Sequence, residues 1–236
     1  ATVIPSIVLV YFFVSLDRFP EPKKIIIITF ILGILITIPA GFANVYLMQI
    51  IYENFYYSNY YNEIYTFFVG PFVEEILKFS IILLYCSRLD DFDEPMDGLV
   101  YGVTVSLGFA TYENYTYVYE WAVAIAKEEN FSAEAFSYLV ALGRSYSAIP
   151  LHGFNGAVMG YYFGMYAFTG NKNYLVLSLA LPYLFHGFYN YLLFPNSMII
   201  IVILVIFSLY LHKDLRKKQQ LKKKEKEQIQ IWNFHI

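Results

Sequence analysis

Six ionisable side chains sit inside long apolar stretches of this 236-residue chain: Glu74, Glu75 and Lys78 in one, Glu113 in the next, and His152 and His186 in two more. Charges in such surroundings are expensive, so those that persist usually face one another and carry function. Glu74 and Lys78 are spaced i,i+4 with the acid first, which favours a pair on one helix face. Glu75 lies about 100° further round and within i,i+3 reach of the same lysine. One carboxylate can therefore be neutralised by Lys78 while the other stays free as base or ligand. A structural ion pair tying helices together would use the same residues. His186 and Asn190 also project from one face, four residues apart.

Two imidazoles and a carboxylate, here His152, His186 and Glu75, are the donor set of a hydrolytic zinc centre, which keeps a position open for water. The soluble H-E-x-x-H spacing is missing, so any such Zn2+ or other divalent metal must be gathered from separate helices. Without metal, a glutamate can activate water as general base while a histidine and Asn190 stabilise the tetrahedral oxyanion. Both schemes remain open at this point. No Gly-x-Ser-x-Gly or Ser-Lys arrangement points to a serine nucleophile.

The elements that must position these residues are membrane helices. The chain is 58% hydrophobic and 15% charged, whereas a soluble domain carries about a quarter charged residues. Period-2 alternation is absent, and only helices or closed barrels satisfy the backbone in lipid. The expectation is an all-α, polytopic integral membrane bundle of about seven transmembrane helices. They run over Thr2–Leu16, Ile25–Gln49, Tyr65–Cys86, Met96–Trp121, Ala148–Phe168, Tyr174–Phe194 and Ser197–Leu211. Pro39-Ala-Gly41 is expected to kink the second. Tyr52–Tyr61 and Ser132–Arg144 read as interfacial connections. His152 heads a row with Gly156, Gly160 and Gly164, a small-residue stripe suited to close helix packing. Asp97 is placed to cap the fourth segment. Arg144 either pairs with a carboxylate near the site or anchors an interfacial helix. Cys86 stands alone, so no intrachain disulfide forms, and no cleavable signal peptide is evident.

Lys and Arg set the orientation. Alternating connections collect Arg18, Lys23, Lys24, Arg88, Lys172 and the tail Lys213–Lys226 on one side, and only Lys127 on the other. The basic side is the cytoplasm, so the N-terminus is expected outside and the C-terminus inside. Residues 1–212 then form a transmembrane domain with its motifs in 66–194, and residues 213–236 form a basic tail that touches anionic lipid. No nucleic-acid module is visible. Counting 1.5 Å per residue from the segment ends puts Glu74, Glu113, His152 and His186 within about 6–13 Å of the outer face. Four helices thus bring their polar residues to one layer.

Four blocks of this kind resemble the PrsW family of bacterial and archaeal intramembrane proteases. They are Pro71-Phe-Val-Glu-Glu-Ile-Leu-Lys78, the run from Asp97 to Glu113-Asn114, Pro150-Leu-His-Gly-Phe-Asn-Gly-Ala-Val-Met-Gly160 and His186-Gly-Phe-Tyr-Asn190. The wider superfamily, which includes the type II CAAX prenyl proteases, is similar in its double-Glu motif and its later histidines. The resemblance implies Glu74 and Glu75 as catalytic carboxylates, His152 as the histidine sharing the water, and His186 with Asn190 as transition-state stabilisers. It implies Glu113-Asn114 as a further site block. Lys78 stands where many superfamily members carry Arg one residue later, which is the PrsW-like form. Asn190 in place of Asp tilts against direct metal binding there. The resemblance also implies a membrane-anchored protein substrate of the anti-sigma-factor kind, and a multi-pass protein of a prokaryotic plasma membrane. The oligomeric state is not legible. A non-catalytic membrane scaffold and, further off, a proton-coupled transporter are the competing expectations.

Overall fold

The computed structural model describes residues 2–233, with side chains described as far as Leu221. Part of the basic tail, residues 222–236, thus carries no described side chains. Among the described residues the chain is helical throughout and has no strand. Its helices are α1 (Ile4–Leu16), α2 (Lys23–Leu35), α3 (Thr37–Phe55), α4 (Tyr61–Phe67), α5 (Val73–Leu84), α6 (Pro95–Thr116), α7 (Ala122–Glu128), α8 (Ala133–Tyr146), α9 (Ala148–Thr169), α10 (Lys172–Leu192) and α11 (Met198–Asn233). Lys23–Phe55 and Met198–Leu221 are the two stretches whose length and hydropathy most clearly suit a membrane crossing.

The axis of the bundle is α6. Every residue from Met96 to Thr111 is buried, because α9 packs on one side and α2 on another. Glycines make both contacts possible. A Cβ on Gly102 would overlap the Gly156 carbonyl, one on Gly160 the Gly98 carbonyl, and one on Gly108 the Phe30 carbonyl. Between helices already solvated by lipid, hydrophobic burial supplies little drive, and such backbone approach replaces it with dense van der Waals contact. The stripe below His152 is therefore the α6–α9 seam. Around this core the outward faces stay apolar: Ile7, Val8 and Tyr11 on α1, Phe42, Val45 and Tyr46 on α3, and Val202 and Ile206 on α11 are all exposed. Exposed apolar residues on this scale suit a lipid solvent.

Several expected boundaries move, each for a physical reason. The second segment breaks at Ile36 rather than at Pro39-Ala-Gly41, where α3 has already resumed. Proline lacks an N–H and crowds the carbonyl of the residue four before it, so the disruption falls a turn upstream. The third segment is two helices, α4 and α5, separated by non-helical Val69 (φ −88°, ψ 111°) and Gly70 (φ 96°, ψ −84°). The Gly-Pro pair at 70–71 is the cause, since glycine alone visits that φ readily and proline cannot continue a helix. Asp97 is not the cap of α6. Glu94 is, and Asp97 reaches back in a capping box, its Oδ2 accepting from the backbone of Glu94 at 2.7 Å and Asp93 at 2.8 Å. The connection from Ser132 is α8, capped by the Ser132 hydroxyl. Beyond Leu211 the last helix continues unbroken, and the turns that follow dock on the bundle: Arg216 donates to the Leu16 carbonyl at 2.7 Å and Gln219 to Asp17 at 2.8 Å.

Candidate active site

The α4–α5 break starts α5 afresh at Val73, so Glu74 and Glu75 fall in its first turn, where the positive end of the helix dipole favours carboxylates. Lys78, one turn on, is wholly buried. Its Nζ lies 2.8 Å from Glu75 Oε1, 3.6 Å from Glu74 Oε2 and 2.9 Å from His152 Nδ1, and it rests over the Phe109 ring at 4.5 Å. The predicted pairing is thus realised, with both acids sharing one cation. Glu75 is the tighter partner because His186 Nδ1 also reaches its Oε1, at 2.8 Å.

These contacts fix the protons. An ammonium has donors and no lone pair, so Lys78 donates to His152 Nδ1. His152 then carries its hydrogen on Nε2 and donates it to Glu113 Oε2 at 2.9 Å. Glu113 is held from its other side by Arg144, whose Nη2 donates to the same oxygen at 2.7 Å while its Nε donates to Asn114 Oδ1. The planar guanidinium thereby grips two adjacent residues of α6 and stacks on Tyr117, 3.8 Å from its ring centroid. On the far side, His186 donates from Nδ1 and keeps its Nε2 lone pair. One hydrogen-bonded chain therefore runs His186–Glu75–Lys78–His152–Glu113–Arg144 across α10, α5, α9, α6 and α8.

Of the residues singled out in the sequence, Glu74, Glu75, Lys78, Glu113, Asn114, Arg144, His152 and His186 are brought together. The open question over Arg144 is answered by its contacts, which go to the carboxylate. Asn190 is set apart from the chain and sits at the helix break, its Nδ2 about 3.8 Å from where a Cβ on Gly70 would lie. The two imidazoles meet edge to face at 5.2 Å between centroids.

Glu74, Glu75, His152 and His186 each offer a donor atom within 4.8 Å of the others, and all four are buried. Glu74 Oε2 and Glu75 Oε2 have no hydrogen-bond partner, which is costly for buried carboxylates. A mixed imidazole–carboxylate set with unclaimed oxygens suits a zinc-type ion, so the residues fit one. In the present arrangement His152 Nδ1 is engaged by Lys78, so joining such a set requires it to exchange that partner.

Glu74 and Glu113 line a cleft of about 750 Å³ between α3 and α6, together with Thr37, Asn44, Tyr46, Tyr112, Tyr117 and Glu120. Three contributors escaped the sequence reading. Gly70 had a visible signal in the Gly-Pro dipeptide. Asn44, whose Oδ1 accepts from the Gly70 N–H at 3.1 Å, had none, because its partner is 26 residues away. Asn155, buried beside His152, donates to the Pro182 carbonyl at 2.9 Å and locks α9 to α10 just before His186.

Comparison with known proteins identifies a family. The family described as PrsW family intramembrane metalloprotease matches residues 21–212. Protease PrsW of Bacillus subtilis (strain 168) is 32% identical over 197 residues, covering 82% of this chain and 81% of that protein. Protease PrsW of Clostridioides difficile (strain 630) is 29% identical over 217 residues, covering 89% and 85%. Protease PrsW of Geobacillus kaustophilus (strain HTA426) is 30% identical over 200 residues, covering 84% and 80%. No solved structure matches the chain.

Proposed function

This chain belongs to the PrsW family of intramembrane metalloproteases and is a protease, and from that premise we propose that it hydrolyses a peptide bond of a membrane-anchored protein at the Glu74–Glu75–His152–His186 centre. The observation that carries this reading is the meeting of two acids, a lysine and two histidines from three helices, with Glu113 of a fourth, in a buried layer beside a cleft. Nothing in the packing alone calls for so many ionisable groups in apolar surroundings.

Each residue has a role. Glu74 carries the carboxylate oxygen that borders the cleft, so it takes the proton from the attacking water. Glu75 is pinned between Lys78 and His186, and by accepting from His186 Nδ1 it leaves the Nε2 lone pair available as a metal donor. Asn190 adds an amide donor for the developing oxyanion. Glu113, clamped by Arg144, fixes the His152 tautomer in the manner of an outer carboxylate on a ligating histidine. A divalent ion such as zinc, held by Glu75, His152 and His186 with Glu74 alongside, would supply Lewis-acid polarisation of the scissile carbonyl. The surrounding helices exclude bulk water, which strengthens every charge interaction within.

The topology belongs to the same proposal. Seven crossings, with the N-terminus outside and the basic C-terminus in the cytoplasm of a prokaryotic plasma membrane, put this layer toward the outer face. A single-span anti-sigma-factor-like protein is the substrate class that the family resemblance implies. The 213–236 segment serves as the cytoplasmic tail of a 1–212 protease domain.

The test is cleavage of a single-span reporter by purified protein in proteoliposomes, with Glu74→Gln and Glu75→Gln variants measured beside the parent. Loss of cleavage in Glu74→Gln is the expected result. Full cleavage by both variants would overturn the assignment.

A further inference from the structure

The break between α4 and α5 leaves one backbone donor exposed to an apolar environment. Val69 is extended (φ −88°, ψ 111°), which turns the Gly70 N–H away from the carbonyls of the preceding helical turn. In a membrane such a group must be satisfied by another part of the protein. Asn44 does this from α3, with its Oδ1 3.1 Å from the Gly70 nitrogen. Apart from the Thr37 hydroxyl, which donates to the Ile34 carbonyl across the adjoining α2–α3 break, it is among the described residues the one side-chain hydrogen bond that ties α3 to another element. The clamp is also next to the chemistry. A Cβ placed on Gly70 would lie 3.4 Å from Glu74 Oε1 and 3.8 Å from Asn190 Nδ2, so the Gly70 backbone is the wall against which both side chains stand. Asn44 and Glu74 line the same cleft.

We propose that Asn44 is a positioning residue of the hydrolytic site: by holding the Gly70 backbone it fixes the helix break that sets Glu74 in the cleft. The inference rests on the function proposed above and extends it to a residue on α3, outside the four sequence blocks. Its physical content is specific. Releasing the Gly70 N–H lets the break shift by a fraction of an ångström, and the first groups to move are the Glu74 carboxylate and the Asn190 amide. Misplacement of about 1 Å is enough to cost on the order of 10²-fold in rate. A residue that served folding alone would lower the amount of folded protein and leave each folded molecule unchanged.

The experiment measures kcat and KM per folded molecule in proteoliposomes, with thermal unfolding recorded in parallel, for Asn44→Ala, Asn44→Leu, Asn44→Asp, Gly70→Ala and the Asn44→Ala/Gly70→Ala double variant. Asn44→Ala and Asn44→Leu are expected to lose kcat by about 10- to 100-fold with KM within about threefold. Asn44→Asp keeps an acceptor oxygen at the same place and is expected to recover about tenfold over Asn44→Ala. Both single changes act through one backbone position, so the double variant should be no slower than the slower single. Parent-like kcat in Asn44→Ala, or an Asn44→Asp no faster than Asn44→Leu, overturns the proposal. Glu74→Gln in the same assay separates the failures: if it cleaves normally the whole site reading falls, whereas if it is dead and Asn44→Ala is unimpaired only the role of Asn44 falls.

Discussion

Two buried polar clusters occupy opposite ends of α6, about 24 Å apart by the helical rise from Asp97 to Glu113, and they are built differently. At the Asp97 end, the acids are met mainly by hydroxyl, amide and backbone donors, with no lysine, arginine or histidine among the contacts that follow. Tyr101 donates to Glu21, backbone N–H groups donate to Asp97, and the Gln219 amide bridges Asp17 and Glu94. Those bonds cap α6 and fasten the start of the α11 extension to the α1–α2 connection. At the Glu113 end, acids meet bases: Lys78, Arg144 and two histidines share Glu74, Glu75 and Glu113. Both clusters are buried and each leaves a carboxylate oxygen without a hydrogen-bond partner, Asp17 Oδ2 in the first and Glu74 Oε2 and Glu75 Oε2 in the second, but among the described residues only the second sets its acids against lysine, arginine and histidine beside the cleft of about 750 Å³. A buried acid is thus informative about chemistry through its partners rather than through its burial.

Substitutions can break that contrast, beginning with the most severe. Lys78→Met leaves Glu74 and Glu75 buried without their common cation. Removing one member of a buried pair costs about 3–5 kcal/mol, so both chemical denaturation and cleavage should register a near-complete loss. His186→Ala removes the imidazole whose Nε2 is free. Cleavage should fall by about 10²- to 10³-fold, and elemental analysis should find zinc or another divalent ion reduced relative to the parent protein. Unchanged metal content would take His186 out of the donor set. Arg144→Lys keeps the charge but cannot span Asn114 and Glu113 with a planar fork. A drop in kcat of about tenfold, with little change in unfolding temperature, is expected from steady-state kinetics. Asp97→Asn tests the other cluster, where lost capping should cost about 1 kcal/mol in denaturant unfolding while cleavage per folded molecule stays at the parent level.

Much of the site was legible because charge is scarce in this chain. Glu74, Glu75, Lys78, Glu113, His152 and His186 stand out by type within apolar runs, and the lipid environment leaves them little alternative to meeting one another. The small-residue row below His152 was legible for a related reason, since close helix approach requires those residues. What escaped was long-range and polar. Asn44 and Asn155 look like ordinary helix residues until the groups they serve, the Gly70 N–H turned out of its helix at Val69 and the Pro182 carbonyl, are brought beside them. The capping role of Glu94 was obscured by Asp97, which has the better cap residue type but occupies the third helical position. The break at Ile36 shows a proline acting on the preceding turn, a displacement that a residue-by-residue reading misses.

The central claim is that the base-rich cluster, and not the capping cluster, performs hydrolysis. Single-turnover cleavage of a membrane-anchored reporter by Glu74→Gln and Asp97→Asn, each normalised to folded protein, tests it most directly. A loss of about 10³-fold is expected in the first and the parent rate in the second. Parent-rate cleavage by Glu74→Gln, or equal losses in both, would contradict it.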